Sequence, residues 1–132
     1  MKKLATLMLL FGMFSTNAMA DSVSCYVDTM KYDEYRQGLC FGGETNWQFT
    51  PKIAFKVNTN RAVESVVWKF SGVYDRSSAS QCEGTSCIID VPKVEANVTA
   101  CVDKIYYSDF TWADVNWCAT AEYMYTNGGG FN

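Results

Sequence analysis

The chain has 132 residues, enough for a single domain, and carries 11 basic and 14 acidic residues but no histidine. The lack of histidine excludes Ser-His and Cys-His catalysis and removes the commonest protein ligand of transition metals. Because the basic residues are few and scattered singly, the chain also lacks the basic surface that nucleic-acid binding requires, and we predict no nucleic-acid partner.

Residues Met1–Ala20 have the three zones of an export signal peptide. Lys2 and Lys3 form a positive start, an apolar run extends from Leu4 to Phe14, and Ala18-Met19-Ala20 is a small-residue cleavage site. A membrane anchor would need about 20 apolar residues, so we predict a cleaved leader and a protein that is not embedded in a membrane. Cleavage would leave a single domain at residues 21–132, periplasmic or secreted, with nine basic and fourteen acidic residues and a net charge of −5.

All six cysteines lie in the predicted exported domain, and we predict that they form disulfide bonds. An even number of cysteines in a small exported domain is typical of a disulfide framework, and six allow fifteen pairings. The spacing favours sequential pairing, namely Cys25 with Cys40, Cys82 with Cys87 and Cys101 with Cys118. A metal site is the alternative, but no CxxC pair and no histidine is present, so we predict no metal site and no cofactor.

The first part of the domain predicts little regular structure. Ser22–Asp28 predicts an edge strand, and residues 29–38 predict a loop or, alternatively, a short helix ended by Gly38. Residues 44–49, ETNWQF, contain the isolated aromatic Trp47. The segment Lys52–Val57 alternates between apolar and polar residues, so it predicts a strand with its apolar side chains directed inward.

The middle of the domain predicts two more strands separated by a long loop. Residues 58–60, NTN, are turn formers, and residues 64–70, ESVVWKF, predict a strand with Val66, Trp68 and Phe70 on its inner face. Residues 72–84 are polar and rich in turn formers, which predicts a surface loop. Residues 87–91 predict a short strand ended by Pro92.

The last two strands predict a hairpin whose register can be derived from the cysteines. Residues 95–105 and 114–125 both alternate, and Cys101 and Cys118 fall on the polar faces. If these cysteines lie opposite each other in an antiparallel pair, Ala100 meets Ala119 and Val102 meets Trp117. A slip by one residue would spoil both the disulfide and the apolar face. The turn then lies at residues 107–112, and the Gly-rich residues 127–132 predict a flexible tail.

Together these elements predict an all-β fold, a small antiparallel β-sandwich stapled by disulfides. The strand with a central Trp in VVWKF, the following loop and the alternating strand ANVTACV resemble immunoglobulin-like and PKD-like extracellular modules over Lys52–Tyr125. The resemblance implies an immunoglobulin-like sandwich. It implies nothing about function, because sandwiches of this kind host many unrelated functions.

No nucleophile, acid–base pair or phosphate-binding loop stands out, so we predict no catalytic residue and a binding function instead. The turn YYSDFTW concentrates four aromatic residues, more than a hairpin turn needs for packing. The candidate binding residues are Tyr106, Tyr107, Phe110, Trp112 and, in a separate segment, Trp47. We predict that the partner is another protein, as for a periplasmic inhibitor or immunity-type module. The alternative is a glycan stacked on exposed Trp and Tyr rings.

Carboxylate chemistry supplies two weaker alternatives. A small hydrolase would use a carboxylate pair such as Asp33 with Glu34 or Asp109 with Asp114. Calcium binding would use Asp103 together with Asp109 and Asp114, although the sequence contains no twelve-residue calcium loop.

Overall fold

A computed structural model describes residues 21–29 and 34–126. The strands in chain order are β1 (Ser22–Asp28), β2 (Arg36–Gln37), β3 (Leu39–Glu44), β4 (Lys52–Asn58), β5 (Val63–Gly72), β6 (Ser86–Asp90), β7 (Glu95–Tyr107) and β8 (Trp112–Tyr125), with the helix α1 (Arg76–Ala79) between β5 and β6. In the part of the chain described, no helix has the length and hydrophobicity needed to cross a membrane. The predicted leader and the predicted tail lie outside the described residues.

The strands form two four-stranded sheets around one core. The first sheet has the order β2-β1-β4-β6 and the second has the order β3-β8-β7-β5. Neighbouring strands in both sheets are antiparallel except β3 and β8, which are parallel. The prediction of a small, disulfide-stapled all-β fold is confirmed, whereas this topology does not confirm the immunoglobulin-like arrangement.

The alternation of apolar residues builds the core between the sheets. From β4 the inward side chains Ile53, Phe55 and Val57 are buried, as the sequence predicts. The facing sheet contributes Val98, Ala100, Val102, Ile105, Ala119, Ala121 and Tyr123. Full burial of a Val, Ile or Phe side chain contributes about 1.5–3 kcal/mol, so this interface dominates the stability of the domain.

The β7–β8 hairpin has the predicted register. Cys101 lies opposite Cys118, with Ala100 opposite Ala119 and Val102 opposite Trp117. On the outer face, the hydroxyl oxygens of Thr99 and Thr120 are 2.8 Å apart and form a hydrogen bond across the strands. Both strands are longer than predicted, which leaves only residues 108–111 between them.

All three disulfides pair as predicted, and the described residues contain no free cysteine. The buried Cys25–Cys40 bond joins β1 to β3 and so ties the two sheets together. Cys82–Cys87 closes the loop before β6, and Cys101–Cys118 joins β7 to β8 with 4.1 Å between the Cα atoms. Three disulfides in a domain of this size are typical of proteins that fold outside the reducing cytoplasm.

The N-terminal region differs most from the sequence predictions. The alternative of a short helix at 29–38 is wrong for residues 34–38, where Arg36–Gln37 form the short strand β2, and residues 30–33 lie outside the described residues. The first predicted strand is not an edge strand, because β1 lies between β2 and β4. The predicted loop at 72–84 contains the four-residue helix α1, whose N-cap Asp75 accepts a hydrogen bond from the Ser77 backbone N–H.

Strand β3 was not predicted at all, and it is the parallel edge of the second sheet. Gly42 permits its position, because a Cβ atom there would lie 2.6 Å from the Cβ atom of Val27 in β1. Such a contact is far inside van der Waals distance, so only glycine lets β3 approach β1 this closely. The approach places Cys40 opposite Cys25 for the disulfide between the sheets.

Candidate functional site

The turn between β7 and β8 is tight and contains a residue in the left-handed backbone region. The Tyr107 N–H donates to the Thr111 carbonyl at 2.8 Å, and the Phe110 N–H donates to the Tyr107 carbonyl at 3.1 Å. This five-residue closure requires a positive φ at its fourth position, where glycine is usual. Phe110 occupies that position with φ 65°, a conformation that costs a residue with a side chain about 1 kcal/mol.

Three aromatic side chains are exposed at this end of the hairpin. Phe110 is 99% exposed, Trp112 is 58% exposed and Tyr106 is 38% exposed. Tyr106 and Trp112 are cross-strand partners on the outer face of the second sheet, and Phe110 stands at the tip beside them. We call these three residues the aromatic hairpin end. With Glu64, Ser65, Tyr107 and Thr111 they line an open cleft of about 410 Å³.

Tyr107 lines the same cleft but is much less accessible than the other three predicted binding residues of the turn. Its side chain is buried in the core, because the alternation along β7 places it on the face opposite to Tyr106. The guanidinium of Arg61 covers its ring at 3.5 Å from the ring centroid. Tyr107 therefore lies beneath the hairpin end and, at 6% exposure, adds little surface to the cleft.

Arg61, in the turn between β4 and β5, fixes the hairpin tip. Its Nη2 atom donates to Asp109 Oδ2 at 3.2 Å and to Thr111 Oγ1 at 2.8 Å. A second link is backbone only, from the Ser108 N–H to the Ala62 carbonyl at 3.0 Å. Sequence reasoning missed this role, because the only signal for Arg61 is its position beside turn-forming residues. The tip is thus held by a neighbouring turn as well as by its own strands.

The carboxylate of Asp109 stabilises the turn through hydrogen bonds. Its Oδ1 atom accepts hydrogen bonds from the Thr111 backbone N–H at 3.1 Å and from the Thr111 hydroxyl. These hydrogen bonds, followed by the Arg61 charge, lower the pKa of the Asp109 carboxyl below its usual range. A carboxyl with a lowered pKa is ionised at neutral pH, so it is poorly suited to act as a general acid.

The carboxylates of Asp103 and Asp114 also form ion pairs. Asp114 pairs with Lys104 at 3.5 Å, and Asp103 pairs with Lys69 at 3.0 Å. Each of the three candidate calcium ligands is therefore paired with a cation, and the described residues contain no group of three side chains that could hold a metal ion. Glu34 is exposed, and its predicted partner Asp33 lies outside the described residues.

Trp47 lies at the opposite end of the second sheet from the hairpin end. It is 50% exposed, and its ring makes an edge contact with Tyr125 at 5.1 Å between centroids. Trp112 and Tyr125 begin and end β8, so the strand separates the two tryptophans by roughly 40 Å. The structure thus does not bring Trp47 together with the other candidate binding residues.

The backbone of the aromatic hairpin end is held by the turn hydrogen bonds and by Arg61. Lys104 Nζ stands 4.5 Å from the Trp112 ring centroid and makes a cation–π contact with one face of that ring. Exposed aromatic side chains on a fixed backbone are typical hot-spot residues of protein interfaces.

Comparisons of the chain with protein-family models, with curated proteins and with solved structures found no match.

Proposed function

We propose that this chain is an exported, non-enzymatic protein-binding domain that recognises its partner through the aromatic hairpin end. A lone disulfide-stapled domain of this size fits an inhibitor or immunity-type module. The predicted leader at residues 1–20 and the three disulfides support a periplasmic or secreted location.

Phe110 is the observation that carries the proposal. Its backbone is in a conformation that favours glycine, and its ring is 99% exposed, so neither the turn nor the core explains a phenylalanine there. Strained residues concentrate at functional sites, where the surrounding structure maintains them. Burial of the ring in a partner would contribute about 1.5–3 kcal/mol, which exceeds the backbone cost of about 1 kcal/mol.

The charges around the hairpin end indicate the chemistry of the partner. The carboxylates of Asp109 and Asp114 are already paired with Arg61 and Lys104. Glu64, which lines the cleft, makes no ion pair among the described residues. The complementary surface is therefore an apolar pocket for Phe110 with a lysine or arginine facing Glu64. The negative charge of the whole domain would speed the approach of such a surface.

The test compares variants in capture of the natural partner. Immobilised mature protein should retain a specific protein from the native periplasm or culture medium, and the double variant F110A/W112A should lose it. Loss of two hot-spot side chains should weaken the purified complex at least about 30-fold. The matched control is I88A, which removes an apolar side chain as exposed as that of Trp112 from the outer face of the first sheet.

A glycan is the alternative ligand of the same surface, and the same variants separate the two. Tryptophan fluorescence should stay unchanged when polysaccharides from the native environment are added to the wild-type protein. A fluorescence change that F110A/W112A abolishes would assign the surface to sugar binding. Equal protein retention by wild type and F110A/W112A would refute recognition through the hairpin end.

A further inference from the structure

A second surface lies on the outer face of the second sheet, at the end opposite to the aromatic hairpin end. It is a groove of about 270 Å³ lined by the apolar side chains of Phe41, Val73 and Met124 and by the carboxylates of Glu95 and Glu122. We call it the acidic groove. All three apolar side chains are about half exposed or more, and together they form an exposed apolar patch bordered by carboxylates, which is typical of interaction sites.

The strand register explains how these residues meet. Phe41 of β3 lies beside Glu122 of β8, and Glu95 of β7 lies opposite Met124 of β8. Val73 follows β5, and its N–H donates to the Asn97 carbonyl at 2.9 Å. The acidic groove therefore runs from the β3 edge of the sheet across to the β5 edge. Its floor is regular sheet, which makes it a rigid surface.

The charge of the acidic groove is not neutralised from within. Neither Glu95 nor Glu122 forms an ion pair with a cation in the residues that the structure describes. Glu122 accepts one hydrogen bond, from Asn97 Nδ2 at 3.1 Å. By contrast, Asp103 and Asp114 on the same outer face are each paired with a lysine. Two negative charges beside an apolar floor favour a ligand that combines a cation with an apolar side chain.

We propose that the acidic groove binds a peptide segment of a partner protein in which apolar side chains alternate with lysine or arginine. The apolar side chain would enter between Phe41, Val73 and Met124, and the basic side chains would reach the two glutamates. Lysine and arginine side chains are long and flexible, so basic residues on either side of the apolar residue can bend back along the groove and reach the two carboxylates. A second copy of this chain is a poor occupant, because its own negative charge, −3 for the whole chain and −5 after the predicted cleavage, opposes association with an acidic surface.

This binding would be separate from that of the hairpin end. Trp112 and Glu122 are ten positions apart on β8, which corresponds to roughly 30 Å along the strand. No residue is shared between the linings of the acidic groove and of the cleft at the hairpin end. Failure of one proposal in its experiment therefore leaves the other unaffected.

The test is an NMR titration of ¹⁵N-labelled mature protein with the acetylated and amidated pentapeptide Lys-Leu-Lys-Leu-Lys. We expect shift changes at the backbone amides of Glu95, Asn97, Glu122 and Met124, and none at Phe110. The double variant E95Q/E122Q should bind the peptide roughly fivefold more weakly, because two surface ion pairs are removed. The double variant D21N/E83Q has the same net charge, changes two exposed carboxylates that line neither surface, and should bind the peptide as the wild type does.

The controls define what would overturn the proposal. The peptide Glu-Leu-Glu-Leu-Glu should produce no shift changes at the acidic groove, since only the sign of its charges differs. Equal shifts with both peptides, or no shifts at the groove with the basic peptide, would refute the proposal. Equal weakening by E95Q/E122Q and D21N/E83Q would also refute it, because the effect would then come from net charge alone.

Discussion

At the scale of single residues, the positive φ of Phe110 costs stability, while its exposed ring carries the proposed recognition. Replacement by glycine removes the cost of the positive φ, and we expect F110G to be more stable by about 0.5–1 kcal/mol. For a domain of this size that raises the midpoint of thermal unfolding by about 2–5 °C. The variant F110A is the control, because it removes the ring but keeps a side chain in the left-handed region. Thermal unfolding followed by circular dichroism would contradict this view if F110G melted below F110A.

Asp109 gives the hairpin tip a defined dependence on pH. Its pKa is lowered in the folded protein from the ordinary 3.8, chiefly by hydrogen bonds from Thr111 and then by Arg61. A carboxyl with a lowered folded pKa contributes stability that is present above pH 3.8 and is lost as the pH falls through the folded pKa. We therefore expect D109N to melt below the wild type at pH 6, with the difference shrinking towards zero as the pH falls below 3.8.

The carboxyl of Asp75 is an internal control for this experiment. Asp75 also has a lowered pKa, because of hydrogen bonds from Ser77, and it titrates in the same direction in both proteins. Acid loss of stability should therefore remain in D109N but be smaller than in the wild type. A difference in melting temperature that stayed constant from pH 6 to pH 2 would show that the Asp109 charge does not hold the tip.

At the scale of elements, the β7–β8 hairpin could be derived from the sequence because two independent constraints agree. Alternation fixed which side chains of each strand face the core, and the disulfide between Cys101 and Cys118 then fixed one register, which the structure confirms. The aromatic residues at the turn were found from their concentration in the segment YYSDFTW. Their exposure could not be assigned before the exact turn was known, which is why the buried Tyr107 was grouped with Tyr106.

Strand β3 and the Arg61 contacts could not be derived, because both depend on residues distant in sequence. Leu39 and Phe41 alternate with Cys40, but the segment also contains Gly42 and Gly43, which weaken any strand pattern. Its strand conformation comes from parallel pairing with β8, some 80 residues later in the chain. The acidic groove was missed for the same reason, since Phe41 and Glu122 become neighbours only through that pairing.

At the scale of the whole molecule, the two proposed binding surfaces share one sheet face and lie at its opposite ends. β8 runs beneath both, from Trp112 at the hairpin end to Met124 at the acidic groove. The other face of the same sheet is the core, so neither surface can move without disturbing the packing against the first sheet. The domain can therefore present both surfaces to different parts of one partner, or to two partners at once.

The disulfides decide whether this arrangement survives in a reducing environment. Their sequence separations are 15, 5 and 17 residues. Loops of these lengths contribute about 3, 2 and 3 kcal/mol in the chain-entropy model. Together they match a large part of the roughly 5–15 kcal/mol by which small domains are stable. We therefore expect the mature chain to lose cooperative unfolding when all three bonds are reduced at neutral pH.

Urea denaturation followed by tryptophan fluorescence would measure this loss, because the partly buried Trp68 and Trp117 pack against the core. Protein that has been reduced and then reoxidised serves as the control for damage by the treatment, and it should regain the wild-type midpoint. A reduced chain with the same urea midpoint as the oxidised chain would mean that the sheets alone hold the fold. The dependence on an oxidising compartment, and with it the main structural support for export, would then be lost.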